Sequence, residues 1–248
     1  MLTILRKVRK SIIGPGGASR YLLYAVGEIV LVVVGILIAL QINNWNTQKQ
    51  NDTREVVYLE RLKSDVEVDR DLLILTDNII QRKRAALLKL MDLYRTGNSI
   101  NHDSLVFLLN QSRMLSFNLP QERQKATFDQ LVSIGGLELF KNVELREQIS
   151  QFYTYWDHTY FRMYSLQTEY GKFIFKYFTQ SEFYDSVHPP KLSIQELIGD
   201  KENLQLYERL LMQEANYTIQ LVSRIEPLKD KVDEFLESLE NELNLKSE

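Results

Sequence analysis

The sequence contains no cysteine and little glycine or proline. Its 248 residues include no Cys, ten Gly and five Pro. The absence of Cys excludes disulfides, thiolate metal sites and cysteine nucleophiles. Because glycine and proline most often interrupt helices, their scarcity favours long helices and argues against an all-β fold. The apolar fraction of 44% and the charged fraction of 25% are typical of a folded protein.

Acidic residues are missing from the first twenty positions. The first 42 residues carry five basic side chains and one acidic side chain, Glu28. Because the whole chain has a net charge of −3, residues 43–248 carry −7. An acidic main domain is a poor candidate for nucleic-acid binding, since phosphate contacts need clustered Lys and Arg. We therefore expect no nucleic-acid partner.

One long apolar run, YLLYAVGEIVLVVVGILIALQI, covers residues 21–42. As a helix rising about 1.5 Å per residue, it is long enough for the roughly 30 Å of hydrocarbon in a bilayer. A cleavable signal peptide has a shorter apolar region than this run and ends in a small-x-small cleavage site, whereas the candidate Ala39 has Leu37 two residues before it. The sequence therefore predicts a retained transmembrane helix.

The flanks of this run predict its orientation. Basic residues crowd the N-terminal side, so the positive-inside rule places residues 1–20 in the cytoplasm and residues 43–248 across the membrane. Apolar residues at helical spacing among those basic residues predict an amphipathic segment that lies on anionic lipid. Membrane lipid is thus a predicted partner. The predicted interfacial residues are Arg6, Lys7, Arg9, Lys10 and Trp45.

Glu28 is the one charged residue in the predicted anchor. An acidic side chain in the bilayer costs roughly 2–3 kcal/mol, so something should offset it. Gly27, Gly35 and Ala39 are predicted to share one helix face, which Glu28 borders, and small residues allow another helix to approach closely. One interpretation is a contact with another membrane protein or a second copy of the chain. The other is a carboxyl that is protonated or reaches the inner headgroups.

The stretch GEIVLVVVGILIALQINNWN, residues 27–46, resembles the anchor motif of a family of uncharacterised single-pass inner-membrane proteins of diderm bacteria. Looser resemblance extends to residues 58–69 and 127–153. The family usually has an acidic residue after the motif, where this chain has Thr47. The resemblance implies an inner-membrane location and a periplasmic α-helical domain of unknown function, and it implies no activity.

Beyond the anchor, the spacing of apolar residues predicts helices throughout. No Gly or Pro occurs between Gly35 and Gly97, so the anchor helix either continues as one rod or breaks within residues 43–52. Apolar residues at heptad-like spacing from Leu59 to Tyr94 predict packing within a bundle. Polar residues fill the alternate positions of that seam. These polar residues are Asp69, Thr76 and Lys83.

Capping and breaking residues divide the rest of the chain. They predict a short helix over 103–114, extended chain over 115–120, and a helix with a capping box at Thr127 and Gln130. A helix capped by Asn142 is expected to run to about Thr179, followed by an irregular stretch over 180–192. Ser193 and Glu196 should cap a short helix ending at Gly199, and a long helix should follow, kinked or restarted at Pro227. The predicted fold is all-α: an N-terminal transmembrane helix followed by a long-armed up-down helical bundle.

Aromatic residues are concentrated between positions 152 and 184. Trp156, Tyr160 and Tyr164 lie in this region, and such density suggests either a ligand or partner surface or a thick bundle core. Residues 103–105 and 185–187 each form an acidic-hydroxyl-aliphatic tripeptide, which looks like the acceptor motif for periplasmic O-glycosylation in some diderm bacteria. Tripeptides of this kind occur often by chance.

No catalytic pattern is evident. The three histidines, His102, His158 and His188, belong to no metal-binding or nucleophile motif. We therefore expect no catalytic residues, no cofactor and no metal. The leading interpretation is a membrane-anchored periplasmic interaction or scaffold protein without catalytic activity. The alternative is a periplasmic ligand-sensing module that acts through a membrane partner, because about twenty cytoplasmic residues are too few for an output domain.

Overall fold

The computed structural model describes residues 18–116, 124–164, 168–179 and 191–247, with backbone alone at 18–21, 164, 177–179 and 247. Its α-helices are α1 (Ala18–Thr96), α2 (His102–Ser112), α3 (Ala126–Ser133), α4 (Val143–Tyr164), α5 (Tyr170–Thr179), α6 (Ile194–Ile198) and α7 (Lys201–Ser247). A 3-10 turn covers Gly136–Leu139, and strands β1 (Ile100–Asn101) and β2 (Lys191–Leu192) pair antiparallel. The predicted all-α class is confirmed for the described residues.

Helix α1 is continuous over 79 residues. This confirms the unbroken alternative and excludes a break within residues 43–52. Among the described residues, α1 is the one helix long and apolar enough to cross a membrane, and none of its apolar window is buried. The chain divides into two compact units, Met1–Glu55 and Val56–Glu248.

The described residues of the second unit form two separate apolar cores. The first core joins buried residues of α1 from Tyr58 to Ile80, Leu131 of α3, Phe140 just after the 3-10 turn, residues of α4 from Leu145 to Met163, and residues of α7 from Tyr217 to Leu239. In the first core, the rings of Phe152 and Phe235 stack with centroids 4.3 Å apart. The aromatic density of α4 is therefore used largely for packing.

The second core is built mainly from the shorter helices. It joins the end of α1 from Leu87 to Leu93 with the buried faces of α2, α5 and α6, and with α7 from Tyr207 to Leu211. The β1–β2 pair links residues 100–101 to 191–192, a contact that the sequence analysis did not predict. Two-residue strands carry too little periodicity to be recognised in a sequence.

Several predicted helix ends are confirmed. The Ser193 hydroxyl accepts from the Glu196 N–H while the Glu196 carboxylate accepts from the Ser193 N–H, forming the capping box of α6. The Asn142 side chain accepts from the Leu145 N–H at the start of α4. The predicted end at Gly199 is also confirmed, since Gly199 follows α6 with a φ of +79°, which suits glycine.

Two predicted boundaries are wrong. Thr127 is not a cap, because α3 already begins at Ala126 and its N-cap, Lys125, offers no capping side chain. The helix predicted to run from Asn142 to Thr179 is instead two helices, since α4 ends at Tyr164 and α5 begins at Tyr170. Apolar periodicity continues on both sides of this interruption, which is why it did not signal a break.

Pro227 does not start a new helix. It lies inside α7, which continues to Ser247. The buried residues on either side of it, Ile225 and Leu228, both belong to the first core. Tertiary packing on both sides of the proline therefore maintains one helix across a position that sequence preference would interrupt.

Candidate functional site

The predicted anchor contact lies on an exposed part of α1. A Cβ atom added at Gly27 or Gly35 would meet no atom within 4 Å, so open space adjoins both glycines. On a continuous helix, residues seven and eleven positions apart are nearly aligned, so Glu28 lies within about 20° of Gly35 and Ala39. Gly27 lies about 100° away from Glu28. The aligned set is therefore Glu28, Gly35 and Ala39, and Gly27 lies off this face.

Of the predicted interfacial residues, only Trp45 belongs to the described part. Its side chain is exposed, three residues beyond the apolar run on α1. The basic residues Arg6, Lys7, Arg9 and Lys10 lie outside the described residues. So do His188 and the tripeptide at 185–187, while Ser104 of the other tripeptide is exposed near the start of α2.

The proposed aromatic surface is largely interior. Trp156 is buried in the first core and Tyr160 is half-buried against it, while the side chain of Tyr164 is outside the described set. Trp156 and Tyr160 line an apolar cavity of about 20 Å³ together with Met163 and residues of α1 and α7. A cavity of this size admits no more than about one water molecule, far less than a small-molecule ligand requires.

A larger groove lies between α4 and α7. Its volume is about 360 Å³, and the buried rings of Phe152 and Phe235 form its floor. One wall carries residues of α4 and the other residues of α7, at helical spacing on both sides. The single basic and single acidic side chain of the rim, Lys231 and Glu234, form an ion pair. The remaining polar residues of the rim are Gln148, Gln151, Tyr155 and Ser238.

A fully buried ion pair joins Lys83 of α1 to Glu214 of α7. Neither side chain is exposed to solvent. The Lys83 ammonium also donates to the Met114 carbonyl at 2.7 Å and lies 3.4 Å from the Ser116 hydroxyl. A charge this deep is tolerated only when it is paired and hydrogen-bonded, as it is here.

The Glu214 carboxylate also accepts hydrogen bonds from two hydroxyl groups. The Ser116 hydroxyl donates to its carboxylate at 2.7 Å, and the Thr168 hydroxyl donates to the other carboxylate oxygen. The Tyr217 ring lies 5.2 Å from the Lys83 nitrogen, within the range of a cation–π contact. We call the set Lys83, Ser116, Thr168, Glu214 and Tyr217 the polar layer.

Burial governs protonation in the polar layer. Desolvation lowers the pKa of Lys83, and the adjacent Glu214 carboxylate opposes that shift. Burial also raises the pKa of Tyr217, with the Glu214 charge adding to the effect, so its hydroxyl stays protonated. That hydroxyl donates to the Leu115 carbonyl at 3.1 Å. Leu115 itself has a φ of +61°, a left-handed conformation that is unusual for leucine.

Of the five residues of the polar layer, sequence reasoning singled out only Lys83. Lys83 stood out as a polar residue in the apolar seam of α1, whereas Glu214 lies in a helix rich in acidic residues and carried no distinguishing signal. The pairing joins residues 131 positions apart, and no local pattern encodes it. Among the described residues, no group of three or more His, Cys, Asp or Glu side chains is placed to hold a metal ion.

Comparison with known proteins identifies a family and no activity. Residues 28–215 match the model of a family described as a family of unknown function, DUF6090. Comparisons with curated proteins and with solved structures gave no match. The matched region begins at Glu28 in the anchor and includes both Lys83 and Glu214. Since the match extends over most of the sequence, this chain belongs to the DUF6090 family.

Proposed function

We propose that this protein is a membrane-anchored interaction or scaffold protein without catalytic activity. The observation that carries the proposal is the aligned face of Glu28, Gly35 and Ala39 on an apolar helix segment with no buried residue. Small residues allow close helix contact, and an acidic side chain inside a membrane favours a polar partner. The expected occupant of this face is a helix of another membrane protein or of a second copy of the chain.

The test is purification of the tagged protein from its native membrane in mild detergent, followed by mass spectrometry of co-purifying proteins. A Glu28→Leu, Gly35→Leu variant should lose a specific partner that the unaltered protein retains. The control is Val30→Leu, Leu37→Phe, which adds bulk to the opposite side of the same helix. Loss of the partner in both variants, or in neither, would contradict a specific contact at this face.

We further propose an inner-membrane location, with residues 1–20 in the cytoplasm, the basic residues on lipid, and residues 43–248 in the periplasm as a long-armed up-down bundle. The excess of basic residues on the N-terminal flank supports this orientation. Because the chain has no Cys, single cysteines at Ser11 and Ser99 can be labelled without background. A membrane-impermeant maleimide applied to spheroplasts should label Ser99→Cys only. Labelling of Ser11→Cys only would reverse the topology.

A ligand-sensing module that acts through a membrane partner is the second candidate. The groove between α4 and α7 favours it, since about 360 Å³ is within the range of small-molecule sites. Native mass spectrometry of the purified protein should then reveal a bound small molecule. A Gln151→Ala, Ser238→Ala variant should lose it while keeping any partner that depends on Glu28. Absence of a bound molecule in the unaltered protein would contradict the ligand-sensing candidate and leave the scaffold proposal as the remaining one.

A further inference from the structure

The polar layer lies where the chain passes between the two cores. On α1, Ile80 belongs to the first core and Leu87 to the second, with Lys83 between them. On α7, Leu211 belongs to the second core and Tyr217 to the first, with Glu214 between them. The two apolar cores are therefore separated at this level by a layer of charged and hydroxyl groups.

The other two connections between the cores reach the same layer. Leaving α2, the chain passes through residues 114–116, where the Met114 carbonyl and the Ser116 hydroxyl bind Lys83 and Glu214. Before α5, Thr168 binds Glu214. Within the described residues, four segments connect the two cores: α1, α7, residues 114–116 and the residues just before α5. All four contact the same ion pair.

We propose that this ion pair is a latch, and that the second core opens as a cooperative unit at the polar layer while the first core stays closed. Opening at this level separates two apolar clusters that are already distinct, so it exposes the second core without disrupting the first. Local opening units of this kind follow breaks in apolar packing. The latch resists opening because each of the four connecting segments must release a polar contact with Lys83 or Glu214.

The 113–116 turn beside the latch is conformationally strained at Leu115. Leu115 has a left-handed backbone conformation, and its carbonyl accepts from the Tyr217 hydroxyl. On either side of it, the Met114 carbonyl accepts from Lys83 and the Ser116 hydroxyl donates to Glu214. A leucine keeps such a conformation only where surrounding contacts impose it. Release of the polar layer therefore also releases this turn, which favours the open state of the second core once the ion pair separates.

The test is hydrogen–deuterium exchange with mass spectrometry on the full chain in lipid nanodiscs. Peptides from α2 and α6 report on the second core, and peptides from the middle of α4 and from α7 beyond Tyr217 report on the first. Ser116→Ala removes one hydroxyl from the layer and keeps the ion pair. It should accelerate exchange in the second core about fivefold and leave the first core unchanged.

Lys83→Met should have the same selectivity with an effect of about 100-fold or more, because it leaves Glu214 buried without its partner. Lys89→Met, which removes an exposed lysine from the same helix, is the matched control and should change neither core. If Lys83→Met prevents folding, Ser116→Ala alone decides the question. Equal acceleration in both cores, or none in the second, would overturn the proposal.

Discussion

The carboxylate of Asp69 on α1 accepts a hydrogen bond from the backbone N–H of Gln124, with a nitrogen-to-oxygen distance of 2.7 Å. Four residues earlier on α1, Asp65 accepts from the N–H of Thr127 at 3.4 Å. The N-terminus of α3 thus receives from another helix the negative charge and acceptors that a capping residue would normally supply. This arrangement explains why Lys125 occupies the N-cap position without a side-chain cap.

Replacing Asp69 with Ala is expected to destabilise the second unit by about 1–3 kcal/mol, because the hydrogen bond from the Gln124 N–H to the buried Asp69 carboxylate would be lost. Asp71→Ala, at an exposed position two residues away, should change stability by less than about 0.5 kcal/mol. Urea denaturation followed by tryptophan fluorescence measures both. Equal effects of the two substitutions would contradict the capping role.

The Lys83–Glu214 pair should show strong energetic coupling. Lys83→Met or Glu214→Leu alone should each cost about 3–5 kcal/mol, because each leaves one buried charge without a partner. The double variant should cost much less than the two single variants together, since no unpaired charge remains. A double-mutant cycle in urea measures the coupling. Additive effects would show that the charges do not stabilise each other.

The α6 cap should make the fold sensitive to acid. Hydrogen bonds from the Ser193 N–H and hydroxyl lower the pKa of Glu196 below its ordinary 4.5. A carboxyl with a lowered folded-state pKa stabilises the fold above the unfolded value, and that contribution is lost as pH falls through the folded pKa. The relevant window therefore begins near pH 4.5 and extends below it.

Ser193→Ala should return the pKa of Glu196 toward its ordinary value, as measured by carboxyl-detected NMR titration. Ser99→Ala removes only a longer contact of 3.4 Å and should shift this pKa less. A larger shift in Ser99→Ala than in Ser193→Ala would show that the cap is not the main cause.

Trp156 and Phe161 on α4 should respond differently to truncation. Trp156 is 3% exposed in the first core, whereas Phe161 is 67% exposed. Trp156→Ala should cost about 3–5 kcal/mol, and Phe161→Ala should stay within about 0.5 kcal/mol. Circular dichroism during urea denaturation measures both variants. A near-neutral Trp156→Ala would contradict its place in the core and restore the ligand-surface interpretation of this residue.

Much of the fold was predictable where the signal is local. The apolar run in α1, the apolar seam from Leu59 to Tyr94, the Ser193–Glu196 capping box and the Asn142 cap all depend on residues within a few positions of each other. The break between α4 and α5 and the β1–β2 pair were missed, and the choice between a continuous and a restarted helix at Pro227 was left open, because packing between distant segments decides each of them.

The sequence by itself determined the helical class, the apolar span and its one acidic residue, because periodicity and hydrophobicity act within a single helix. Only the tertiary structure decided that Lys83 meets Glu214, that Trp156 is core, and that α1 caps α3. Each of these depends on side chains that approach from different helices. The cost of burying an unpaired charge makes such pairings specific, but the identity of the partner leaves no trace in local sequence.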